Sequence, residues 1–183
     1  LPQRRARMGE VTRAVRGENL SGVARQLGKL AANHFGATQA LARTAIKAGH
    51  IAESIVGTSL LSRLTGGAWK EGMPKPQPLG RATCQQGDKV GHFPTCAGRM
   101  FGADSPEQAL SATVIRVLER AGYAPIIPDD VNSLCCGQSF ASKGLESDAD
   151  RKSGELEAAL MKASNYGEYP VVLDASACSL RMK

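Results

Sequence analysis

Aromatic side chains are scarce in this chain: one Trp, three Tyr and four Phe among 183 residues. That leaves too few rings for the stacking platforms on which single-stranded nucleic acid is held. No recognised nucleic-acid-binding motif replaces them, so no nucleic-acid partner is expected. Also missing is any uninterrupted apolar run near the roughly 20 residues that a membrane-spanning helix needs. No signal peptide is evident, and five cysteines do not make the even framework that staples a small secreted domain. There is no Ser/His/Asp triad, phosphate-cradling glycine loop or paired-carboxylate constellation. These absences point away from bond-making chemistry in this stretch. They favour a reducing, cytoplasmic setting, where clustered cysteines usually serve metal or redox functions.

What is present begins with charge. Residues 1–50 hold nine Arg/Lys and two Glu, a balance of +7 out of a total of +6 for the whole chain. The basic excess therefore belongs entirely to the N-terminal part. It suits either the solvated face of helices packed on a neighbouring domain or an anionic membrane surface, which would make the protein peripheral to the inner membrane. Residues 8–64 read as helices with short breaks. Leu20, Val23, Leu27 and Leu30 recur at helical spacing, as do Ile51, Ile55, Leu60, Leu61 and Leu64, with Gly36 and Gly49 as expected helix ends. We divide the chain into a basic helical segment (1–66), a Pro/Gly-rich linker (67–88) and a cysteine-rich domain (89–183). The linker carries Pro74, Pro76 and Pro78 at alternate positions, which favours extended backbone. Cys84, inside it, belongs to no motif and is expected to be an uninvolved thiol.

From Lys89 the pattern alternates strand and helix. Residues 89–95 form an expected strand that delivers Cys96. Ser105, Pro106 and Gln108 then resemble a helix start, with Leu110, Val114, Val117 and Ala121 as the buried stripe and Gly122 as the end. A second strand at 124–127 precedes Asn132-Ser133-Leu134-Cys135-Cys136-Gly137-Gln138. Ser147 is expected to cap the next helix, whose inward face holds Leu156, Leu160 and Ala163. A third strand at 170–173 delivers Cys178. Crossovers of this kind predict an α/β fold, a small parallel three-stranded sheet behind an all-helical N-terminal segment.

Parallel strands place their carboxyl ends on one edge, where open α/β sheets hold ligands. Cys96, Cys135, Cys136 and Cys178 should therefore meet there. Four gathered thiols can bind an iron–sulfur cluster, satisfy a structural zinc, form a redox disulfide, or remain inert and buried. Gly137 supplies the bend a vicinal pair requires. Arg99, Lys143 and Arg181 could moderate thiolate charge, or be ordinary surface cations. His92 and Asp174 are weaker candidates for the same rim, readable as a structural histidine and a turn residue.

The words Phe93-Pro94-Thr95-Cys96, Leu134-Cys135-Cys136-Gly137 and Ala175-Ser176-Ala177-Cys178 resemble the cysteine-rich CCG domain. That domain occurs in heterodisulfide reductase subunits and in the iron–sulfur portions of glycolate oxidase and anaerobic glycerol-3-phosphate dehydrogenase. Residues 136–144 with 155–160, and the ending Cys178-Ser179-Leu180-Arg181-Met182, look like the C-terminal region of bacterial FAD-linked D-lactate dehydrogenases. The resemblance covers residues 89–183. It implies that Cys96, Cys135, Cys136 and Cys178 ligate a cluster of 4Fe–4S type, with zinc as the alternative, supported by Pro94, Gly137 and Arg181. It implies further that FAD sits in a domain outside these residues. A ferredoxin-like segment would be a second partner, in cis or as a subunit, and electrons would leave to a quinone or cytochrome. Arg181 stands where the family pattern has its last cysteine.

Overall fold

The structure is a computed structural model that describes residues 8–76, 79, 81–84, 86–102 and 105–183. The expectations touching residues 1–7, 77, 78, 80 and 85 lie outside the described residues. Four N-terminal helices come first: α1 (Met8–Glu18), α2 (Gly22–Asn33), α3 (Phe35–Val56) and α4 (Thr58–Leu64). They are followed by β1 (Asp88–Phe93), α5 (Cys96–Met100), α6 (Leu110–Arg120), β2 (Tyr123–Ile126), α7 (Gln138–Ala141), α8 (Glu146–Ala163), β3 (Val171–Leu173) and α9 (Ser176–Arg181). The strands form one parallel sheet in the order β2-β1-β3, with Gly91 opposite both Ile126 and Val171. The expected α/β class with an N-terminal helical segment is what the chain forms.

β1 is the central strand, so its last four residues are buried although they include Gly91 and His92. Pro125 is tolerated in β2 because that strand lies at the sheet edge, where a missing N–H costs no ladder bond. Phe93 and Leu156, both 0% exposed, centre a core layer between β1 and α8 that also takes in Leu134, Leu160, Cys136 and Cys178. Each such apolar side chain contributes about 1.5–3 kcal/mol when buried. A second layer joins Ala32 of α2 to Cys135, Phe140, Ala141, Leu145 and Ala149. The helical segment thus packs directly on the cysteine-bearing elements.

Several local expectations are corrected. Gly36 and Gly49 are not helix ends but lie inside α3. Gly49 is there because a Cβ would stand 2.1 Å from the Trp69 ring, whereas a Cβ at Gly36 would make only ordinary contact with Ser133. Ser105 and Pro106 start a separate 3₁₀ turn, and α6 begins later, behind Ala109. Its buried face is Ser111 and Ile115, while Leu110 and Val117 face solvent and Ala121 is an exposed cap residue. Ser147 lies in the first turn of α8 rather than at its cap, which is Leu145. The apolar repeats of α2 and α3 do mark helices, yet Val23, Leu27, Leu30, Ile51 and Ile55 are exposed. The small residues on the opposite side of α2 make the inward contact, where Gly28 meets Leu145. Among the described residues, no helix is long and apolar enough to cross a membrane.

Candidate metal centre

Each cysteine follows a strand end, and local chemistry fixes each one. Thr95 accepts from the Gly98 N–H and caps α5, which puts Cys96 at the first helical position. The Thr95 N–H itself donates to Asp174 Oδ1 at 2.9 Å, tying the end of β1 to the loop after β3. Pro94 is fully buried between them. Gly137 adopts φ +81°, and a Cβ there would stand 2.2 Å from the Ala149 carbonyl oxygen, so only glycine fits. Cys178 sits in α9 immediately beyond β3.

The vicinal pair splits. Cys135 enters one core layer, against which Cys96 packs, and Cys136 enters the other beside Cys178. Neighbouring side chains diverge, so each member meets a different distant cysteine. The result is a line of electrostatically coupled thiols, Cys96 to Cys135 to Cys136 to Cys178, in which the Sγ atoms of Cys136 and Cys178 are 3.0 Å apart. All are free thiols. Cys96 is pushed far up by donating to Cys135 and by burial. Cys135 is raised by donating to Cys136. Cys136 gains thiolate character from Cys135, but its own donation to Cys178 and its burial outweigh that and raise it. Cys178 is lowered, chiefly by the hydrogen bond from Cys136.

Backbone N–H groups also point at the sulfurs. Gly137 donates to Cys135 Sγ at 3.4 Å, Ala97 to Cys96 and Gln138 to Cys136. Such donors stabilise thiolates and the sulfurs of iron–sulfur clusters. Arg99, expected as a possible surface cation, is instead 1% exposed. Its guanidinium donates to the Val131 carbonyl and, at 2.7 Å, to that of Leu134, and lies over the Phe93 ring. Burial pulls its pKa down, while the charges of Cys96, Cys135 and Asp174 oppose that shift. It supplies fixed positive charge beside two of the thiols.

The other candidates divide. Arg181 does not face the sulfurs: it pairs with Asp150 and, at 3.8 Å, Glu146 at the start of α8. Lys143 is exposed. Cys84 lies apart, donating to the Gln86 carbonyl near Glu119 at the end of α6. His92 is 0% exposed with neither ring nitrogen hydrogen-bonded, and desolvation lowers its pKa. Lys152 is a residue that the sequence reading missed: it is 3% exposed and donates to the Ser133 carbonyl under the cysteine loop. Its spacing from Leu156 and Leu160 on α8, a cation on the buried stripe, was the available signal.

Among the described residues, no group of three or more Cys, His, Asp or Glu side chains stands ready around a single metal ion. The 3.0 Å between the Cys136 and Cys178 sulfurs is shorter than the edge of a tetrahedral thiolate site, about 3.8 Å for zinc–sulfur bonds near 2.3 Å. Thiol donors suit thiophilic iron or zinc, and Cys136 and Cys178 would have to separate to hold either. Comparison with family models, curated proteins and solved structures returns no match for this chain.

Proposed function

We propose that Cys96, Cys135, Cys136 and Cys178 hold an iron–sulfur cluster, and that the chain is the CCG-type electron-transfer region of a flavin-dependent 2-hydroxy-acid dehydrogenase of the D-lactate kind. The observation that carries this reading is the gathering of four thiols beyond three strand ends, Cys136 beside Cys178 in one core layer and Cys96 against Cys135 in the other. A cluster bound there would supply one-electron transfer between the flavin and a quinone or cytochrome. The chain's own residues do the rest. Arg99 offsets thiolate charge, the N–H groups of Ala97, Gly137 and Gln138 bond to the sulfurs, and the core around Phe93 and Leu156 excludes water. Oxidation of the substrate belongs to the flavin domain, placed in the same cytoplasmic assembly.

Anaerobically purified protein should contain iron and acid-labile sulfide and show charge-transfer absorption in the visible. Cys135→Ser or Cys136→Ser should abolish both. Full iron retention in either variant refutes the assignment, and zinc without sulfide supports a zinc-stabilised interaction module instead. The 3.0 Å approach of Cys136 to Cys178 favours one further reading, a thiol–disulfide relay that uses this pair.

A further inference from the structure

A cleft of about 530 Å³ lies between α3 and the loops around Leu79 and Asn132. Among the described residues its charged lining is positive: Lys47 and Arg43 from α3, Arg43 being already engaged in the fold, and Arg81 from the loop. Three other clefts on the surface each include carboxylates, among them Asp129 and Glu155, Glu10 and Glu146, or Glu53. Thr44 and Asn132 add neutral hydrogen-bonding groups, and Leu79 with Ala40 and Gly36 makes an apolar wall. Gln39, also on the lining and 4% exposed, donates through Nε2 to the Cys96 carbonyl at 3.0 Å and so ties the cleft to the cysteine segment. Asn132 belongs to the segment that leads into Cys135, and Arg43 is close enough to act on the charge of Arg99. The cleft is therefore one hydrogen bond away from the thiol line.

We infer that this cleft binds a phosphate-bearing anion next to Cys96. Three cations with no acid among them match a multiply charged oxyanion rather than a monocarboxylate. The volume lies within the range of small-molecule sites and exceeds what a bare ion needs, so the apolar wall has room for an organic portion. A soluble phosphate ester and a phospholipid headgroup share this chemistry.

Isothermal titration of the full chain with pyrophosphate at low ionic strength, and co-sedimentation with phosphatidic acid and phosphatidylcholine vesicles, test the inference. Saturable binding to pyrophosphate is expected, weakened about tenfold or more by Lys47→Glu or Arg81→Glu, since each removes a charge-assisted bond. Both side chains are exposed, so the substitutions spare the core. Binding confined to phosphatidic acid vesicles, and lost in the same variants, assigns the anion to a headgroup. No saturable binding to either, or unchanged affinity in both variants, overturns the site.

Discussion

Replacing Arg99 by Met tests how the cysteine loop is held. The guanidinium bonds two carbonyls, those of Val131 and Leu134, in a region closed to water. Methionine keeps much of the length and packing but donates to neither. Each carbonyl left buried and unpaired costs about 1–3 kcal/mol, or about 2–6 kcal/mol for the two. Relief from burying a cation offsets part of this, leaving an expected net loss of about 2–4 kcal/mol. Against a typical total of roughly 5–15 kcal/mol, that is a large share. Urea denaturation of the metal-free protein under reductant should show the midpoint falling by roughly 1–2 M with little change in slope. Arg99→Lys keeps the charge and can satisfy one carbonyl, so it should lose less. A Met variant within about 0.5 kcal/mol of the parent, the range of an ordinary surface change, would refute this account of the loop.

Gly137→Ala should cost about 3 kcal/mol or more and prevent metal loading, because left-handed strain adds to a backbone clash at Ala149; calorimetry and metal content read both. In the metal-free chain, Cys178 should alkylate at lower pH than Cys96, Cys135 or Cys136, followed by peptide mass spectrometry. Three thiols have raised pKa values in the fold, so their contribution to stability is complete below the unfolded value near ~8.5 and is lost as pH climbs through the folded values. Melting temperature should accordingly fall above about pH 8.5, and Cys96→Ser should flatten that fall. Mild oxidation should join Cys136 to Cys178 before any other pair, as non-reducing peptide mapping would show.

The sheet and its rim were legible because strand-forming runs alternate with helical ones and each cysteine word follows a strand. Parallel pairing then leaves little choice about where the sulfurs go. The buried cations were not legible in the same way. Arg99 and Lys152 are ordinary surface types; carbonyls of the 131–134 turns make their burial tolerable, together with the Glu155 carboxylate at Lys152. Gly49 misled because a glycine needed for close approach has the same letter as one that ends a helix. The apolar stripe of α2 reported the helix correctly. Small residues on the other face pack more closely, and Val23, Leu27 and Leu30 are left outward. Arg181, read from its place in a cysteine pattern, answers instead to the acids of α8.

The claim that four thiols act as one centre is tested most directly by X-ray absorption at the edge of the metal bound to the anaerobic protein. The account predicts a first shell made of sulfur alone. A shell dominated by nitrogen or oxygen at full metal occupancy would contradict it.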